Sequence, residues 1–228
     1  IIARALDIPV IGHASDVLEK VEPGDTVIVD GDSAEIHIRP EADTLEAFAN
    51  TLDMRAKQIA SYTSLRSVPA ETKDGIRIAL HINAGLITDI QSIAYTGAEG
   101  IGLYRTEIPF MNSYEFPNVD QQAELYKRII IESEGKPIVF RTLDLGGDKG
   151  LPYWDNKREK NPAMGWRAIR VLLDRPALMR QQLRALIRAA QNHDLTIMFP
   201  MITEIVEFDT ARKILDDELK RAEKKGLM

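Results

Sequence analysis

Residues 100–111 read GIGLYRTEIPFM and residues 139–149 read VFRTLDLGGDK. Ile101 and Leu103 alternate into Arg105-Thr106-Glu107, and Ile138, Val139 and Phe140 run into Arg141-Thr142-Leu143-Asp144. Each stretch is therefore apolar until it delivers charge at its C-terminal end. In parallel α/β architectures that end of a strand is where ligands bind. Arginine presents a planar fork of donors that grips phosphate or carboxylate bidentately and stays charged throughout. Two such forks at two strand ends make an anion clamp, whose expected ligand is a small dianion or trianion. Taken singly, an Arg-Thr-acid triplet after a strand reads equally well as a structural ion pair that closes a loop. Its repetition, and the turn Gly146-Gly147-Asp148-Lys149 that lets backbone approach a ligand, favour the clamp.

Strand and helix patterns alternate on both sides of these stretches. Residues 76–80, 100–103, 137–140 and 196–199 read as strands, with helical periodicity between and after them. The helix after Asp174-Arg175-Pro176 carries Met179, Leu183, Leu186, Ile187 and Ala190 on one face, with Pro176 in its first turn. The last helix, after Thr203, carries Phe208, Ala211, Leu215, Leu219 and Ala222. Four strand-helix units predict a parallel sheet in the α/β class, half of what closes a (β/α)8 barrel. Upstream, residues 26–29 and 34–38 read as a hairpin around Asp30-Gly31-Asp32-Ser33, preceded by the turn Glu22-Pro23-Gly24-Asp25. Pro40 ends it, and Leu45, Phe48, Ala49, Leu52, Ala56 and Ile59 recur at helical spacing. The expected division is a β-rich piece over 1–40, a helical linker over 41–72 and the strand-helix region over 73–228.

Composition narrows the classes. With 44% hydrophobic and 28% charged residues the 228-residue chain is an ordinary globular one. A formal net charge of −6 argues against nucleic acid, which needs a basic surface to displace its counterions. No run approaches the length of a membrane span. Zero cysteine excludes disulfides, thiolate metal sites and a cysteine nucleophile, and fits a reducing cytoplasm. His13, His37, His81 and His193 all read as structural: His37 alternates with Ile36 and Ile38 and belongs on the solvent side of its strand, and His193 follows Gln191-Asn192 in a turn. The chain opens Ile1-Ile2-Ala3-Arg4 without an initiator Met and stops directly after an amphipathic helical pattern, so the expectation is an excised piece.

Four motifs, GIGLYRTEIPFM, FRTLDLGGDKGLPY (140–153), KNPAMGWRAIR (160–170) and IMFPMI (197–202), together resemble enzyme I of the bacterial phosphoenolpyruvate-dependent phosphotransferase system. The resemblance covers essentially the whole chain, with Lys160 where that family usually has Glu. Tyr104 and Ile108-Pro109 look more like the nitrogen-related paralogue than the sugar-transport form. The resemblance implies the first half of a (β/α)8 TIM-type barrel over 73–228, preceded by the tail of a swivelling phosphohistidine domain over 1–40 and a helical linker over 41–72. It implies phosphoenolpyruvate as donor, an enzyme histidine as first acceptor and a small histidine-phosphorylated carrier protein as second. It further implies a cytoplasmic homodimer in the full-length form and a need for Mg2+, whose Glu and Asp ligands come, like a catalytic cysteine, from later strands. The phosphoacceptor histidine would lie just upstream of Ile2-Ala3-Arg4-Ala5, so the chain as written is expected not to phosphorylate itself.

Residue by residue, the resemblance makes Arg105 and Arg141 the phosphate-binding arginines, with Lys149 and Arg167 pointing into the same pocket. Against this, Arg167 reads also as an anchor for the loop of Pro162 and Gly165, and Arg170 as a surface or ion-pair residue. Asp144 and Asp148 are metal ligands by type, but beside Arg141 and Lys149 they read better as orienting partners. Asn83 serves a pocket or a turn with Gly85 about equally. Trp154 and Trp166 read as packing residues. A pyruvate, phosphate dikinase or phosphoenolpyruvate synthase shares the Arg-Thr-Glu logic but carries an ATP-grasp module. A non-catalytic phosphoenolpyruvate-binding regulatory piece is the reading from a different class.

Overall fold

A computed structural model describes residues 8–111, 113–146, 161 and 165–227. The chain divides into two compact units between Leu65 and Arg66. In the first, α1 (Val17–Lys20) precedes an antiparallel hairpin of β1 (Val27–Asp30) and β2 (Glu35–Ile38), running from Val27↔Ile38 to Asp30↔Glu35. The turn closes because the Asp30 carboxylate accepts from the Asp32 N–H at 3.0 Å and the Ser33 hydroxyl at 2.8 Å, a side chain standing in for backbone turn bonds. The helix that follows, α2 (Ala42–Leu65), buries none of its residues. His37 corrects the expectation of a solvent-facing ring: it is half-buried, with its ring 5.4 Å from that of Phe48 on α2. A two-stranded ribbon has no second sheet to cover it, so the helix after it supplies the cover.

The second unit is a mixed α/β fold around one parallel sheet. Its strands β3 (His81–Ala84), β4 (Gly100–Arg105), β5 (Ile138–Arg141) and β6 (Thr196–Met198) lie in the order β3-β4-β5-β6. A 3-10 turn (Ile87–Ile90) and α3 (Gln91–Thr96) join β3 to β4, and α4 (Glu107–Met111) and α5 (Val119–Glu132) join β4 to β5. α6 (Ile169–Asp174) and α7 (Pro176–Ala189) precede β6, and α8 (Ile205–Glu223) follows it. Three strands fall where the alternation places them. The first does not: residues 76–80 are extended, but Ile78 N–H donates to Ala70 O at 2.8 Å and Glu71 bridges Arg77, an antiparallel turn outside the sheet. Ile76, Ile78 and Leu80 are 56%, 45% and 56% exposed. Their alternation marks extended backbone correctly, yet alternation carries no information about which neighbour the backbone pairs with.

Two apolar clusters hold this unit together. On one face of the sheet Ile101, Tyr104, Ile138 and Phe140 meet Tyr126 and Ile129 of α5 and Ala185 and Leu186 of α7. Phe140 sits edge-on to Tyr104 and Tyr126 at 5.7 and 5.5 Å, and each such side chain contributes roughly 1.5–3 kcal/mol by leaving water. The α5 face is aimed by its first turn, where Asn118 Oδ1 accepts from the Asp120 and Gln121 N–H groups, each at 3.0 Å, and Gln121 Oε1 accepts back from Asn118 N–H. The second cluster, including Phe110, Leu143, Leu145, Ile169 and Met179, lies under the strand ends.

Candidate anion-binding site at the strand ends

Across the paired stretch, β4 carries one residue more than either neighbour. Ile82 and Asn83 of β3 face Ile101 and Leu103, while Ile138 and Phe140 of β5 face Ile101 and Tyr104. Side chains alternate along a strand, so a regular β4 would put Ile101, Leu103 and Arg105 on one face. The bulge at Gly102 shifts the phase by one. Tyr104 rejoins Ile101 in the core, fully buried, and Arg105 turns to the other side. The expectation that Ile101 and Leu103 alternate directly into Arg105 is corrected accordingly. Arg105 and Arg141 are then register partners on adjacent parallel strands, at the last residue of each and on one face, with backbones about 4.8 Å apart.

Around them stands a buried charge network. Arg141 Nη2 donates to Glu107 Oε1 and lies 3.5 Å from Asp144 Oδ2. Arg167 donates Nε and Nη2 to Asp144 Oδ1 at 3.1 and 2.9 Å, and Nη2 also to Oδ2 at 3.0 Å. The side chains of Glu107, Asp144, Arg167 and Arg141 are 2%, 6%, 10% and 15% exposed. Arg167 arrives through a short antiparallel bridge to Gly146, with Ala168 N–H donating to Leu145 O at 2.9 Å. Gly146 sits at φ +111°, and a Cβ there would lie 2.5 Å from Trp166 O, so only glycine permits the approach.

Charge and satisfaction decide what this arrangement can hold. Buried charges persist when paired, and Glu107 and Asp144 orient Arg141 and Arg167 in that way. Among the described residues, Arg105 makes no ion pair and its Nε is buried without an acceptor, as is the Nε of Arg141. Among the described residues, three guanidiniums thus stand with two carboxylates, and two buried Nε donors lack an acceptor. A buried donor left unmet costs about 1–3 kcal/mol, and an oxyanion seated between the arginines would remove that cost. By contrast, a cavity of about 770 Å3 at the N-terminal strand ends, lined by Lys136, Ile138, Asp194 and Thr196, balances one cation with one anion.

The structure brings together Arg105, Arg141 and Arg167 among the expected residues, while Lys149, Asp148 and Trp154 lie outside the described residues. Asp144 is the orienting partner of two arginines. Arg170 links two loops, donating to Gly165 O at 2.9 Å and Thr203 Oγ1 at 3.0 Å, and Asn83 is exposed. Trp166 packs at the rim, its indole N–H donating to Asp174 at 2.6 Å with Arg175 over its ring. One residue escaped the sequence reading: Gln182 of α7 is fully buried and hydrogen-bonded to both strand ends. Its signal was present as a polar residue inside the stripe of Met179, Leu183 and Leu186.

Residues 59–228 match the family described as PEP-utilising enzyme, PEP-binding domain, and residues 1–34 match the one described as PEP-utilising enzyme, mobile domain. The chain is 40% identical over 226 residues to a phosphoenolpyruvate-protein phosphotransferase of Staphylococcus carnosus, covering 99% of this chain and 39% of that protein. It is 42% identical over 218 residues to the protein of the same name from Latilactobacillus sakei, with 96% and 38% covered. For the Bacillus subtilis protein the identity is 39% over 226 residues, with 99% and 40% covered. The chain therefore spans about two fifths of the length of these curated relatives.

Proposed function

The chain belongs to the family of PEP-binding domains of PEP-utilising enzymes, and from that premise we propose that Arg105 and Arg141 hold the phosphoryl group of phosphoenolpyruvate. The observation that carries this reading is their register pairing at two strand ends, with the Nε of each buried and lacking an acceptor. Phosphoryl transfer spreads charge over the equatorial oxygens of a loose transition state, so positioned cationic forks supply much of the catalysis. Arg167, held by Asp144, adds charge at the same place, and the resemblance assigns Lys149 to that pocket as well. Glu107 and Asp144 are the partners that fix the forks before substrate arrives, and fixed dipoles need no reorganisation during the reaction.

The parent enzyme in this reading is a phosphoenolpyruvate-protein phosphotransferase of the nitrogen-related branch, a cytoplasmic homodimer. It passes the phosphoryl group to a histidine on the mobile domain and then to a small histidine-phosphorylated carrier protein. The four parallel strands are the first half of its (β/α)8 barrel. Magnesium, when bound in such an enzyme, would neutralise oxygens of the donor. Among the described residues no group of three His, Cys, Asp or Glu side chains converges, and Glu107 and Asp144 are engaged with guanidiniums, so these residues do not fit a metal and no step here passes through one.

The test is Arg105→Lys and Arg141→Lys in the full-length protein. Each keeps the charge and loses the fork, so the rate of phosphorylation by phosphoenolpyruvate should fall about a hundredfold, with the melting midpoint within a few degrees of the parent. Near-parental rates for both variants would remove the clamp.

A further inference from the structure

Gln182 sits in the buried stripe of α7, where a leucine or methionine would fill the space without a polar group to satisfy. Its carboxamide instead spans the ends of the two clamp strands. Oε1 accepts from Leu143 N–H at 3.0 Å, and Nε2 donates to Thr106 Oγ1 at 2.9 Å and to Tyr126 OH at 3.2 Å. The Thr106 hydroxyl in turn donates to Arg141 C=O at 2.8 Å. Thr106 is the residue after Arg105, and Leu143 lies two beyond Arg141. One buried side chain thereby ties the hydroxyl of the residue after Arg105 to the backbone two residues past Arg141. Beyond the last ladder pair no backbone hydrogen bond joins β4 to β5 among the described residues, while Thr142 N–H donates to Met198 O on β6 at 2.9 Å, and a fully satisfied buried network is the kind that fixes geometry.

We propose that Gln182 is a positioning residue, acting through Thr106 to set the separation and aim of Arg105 and Arg141 for an anion with several equivalent oxygens. This rests on the clamp reading above. The consequence is kinetic, because bidentate forks tolerate little misplacement and an error of about 1 Å costs as much as a hundredfold in rate.

Steady-state phosphorylation by phosphoenolpyruvate, measured in the full-length protein well below each variant's melting midpoint, tests it. Gln182→Met and Thr106→Val should each lower kcat/KM by about ten- to hundredfold, with Thr106→Ser within about twofold of the parent because it keeps the hydroxyl. The double variant Gln182→Met with Thr106→Val should be no slower than the worse single one, since the two residues act as a unit. Should Gln182→Met fail to fold, the Thr106 pair decides alone, because Thr106→Val leaves the Leu143 bond in place. A role in stability only would lower the midpoint and leave kcat/KM of the folded enzyme parental, which overturns the inference. If Arg141→Lys is slow while Gln182→Met and Thr106→Val are parental, the positioning role falls and the clamp stands. If Arg105→Lys and Arg141→Lys are also parental, both fall.

Discussion

The carboxylate of Glu218, fully buried on α8, accepts from Arg180 at 2.9 Å and from Arg184 at 2.6 and 3.0 Å, with Arg221 at 3.6 Å. It shows what the same chemistry does when it is closed. Here several cations surround one carboxylate and keep 32% to 52% of their own surface in water, so the cluster stitches α7 to α8 and asks for nothing more. At the strand ends, among the described residues, the Nε donors of Arg105 and Arg141 are buried without an acceptor, and that separates a ligand site from a structural ion cluster better than residue type does. Burial pushes the Glu218 carboxyl up, but hydrogen bonds from Arg184 and Arg180 outweigh it and hold the group below the ordinary glutamate range. A folded value below the unfolded one, about 4.3, contributes stability that is present above that pH and is lost as pH falls toward the folded value. Glu218→Gln should cost about 3 kcal/mol at neutral pH, because it leaves the arginines facing an uncharged group. Urea unfolding from pH 7 downward should show the gap between parent and variant narrowing below about pH 4. A gap constant with pH would show that the charge of Glu218 contributes nothing.

At the scale of elements, the bulge in β4 is what makes the site. Gly102 is the extra residue, so deleting it would leave Ile101, Leu103, Tyr104 and Arg105 pairing one to one with both neighbouring strands, with Tyr104 still in the core and Arg105 still on the other face. The expected outcome is a cooperative thermal transition, followed by near-UV circular dichroism, that survives the deletion. Loss of that transition would mean that the extra residue lies elsewhere in β4. This also explains how much the sequence could say. The parallel sheet, three of its strands, the buried face of α7 and the Arg-Thr-acid ends were legible because they are periodic or local. The bulge was not, because it exists only as a mismatch between β4 and its neighbours in space. Residues 76–80 misled for the related reason that an alternating stretch pairs with whatever lies beside it, here residues 70–72. Gln182 and Glu218 were passed over inside apolar stripes whose pattern they interrupt, and a polar residue in such a stripe is the one signal that would have drawn attention to them.

For the molecule as a whole, the distribution of buried surface sets the behaviour to expect. Among the described residues every buried hydrophobic residue lies at or beyond Ala84, in the unit of Arg66–Met228. That unit has a real core, yet its sheet is open: β3 and β6 each have one strand neighbour. Parallel sheets are ordinarily buried on both faces, and an edge strand with unpaired backbone groups is a template for another chain unless something covers it. Met198 on β6 is 38% exposed, which adds apolar surface to that edge. In the half-barrel proposed above, these two edges are where the other four strands would pair. The 228-residue chain by itself should therefore associate through them. Sedimentation velocity over a wide range of concentration should give a weight-average coefficient that rises with concentration, together with a cooperative melt that becomes more stable as the protein is concentrated. A compact monomer, unchanged across the range and melting at one temperature, would mean that the edges are already satisfied and that the four strands are a complete sheet rather than half of a barrel.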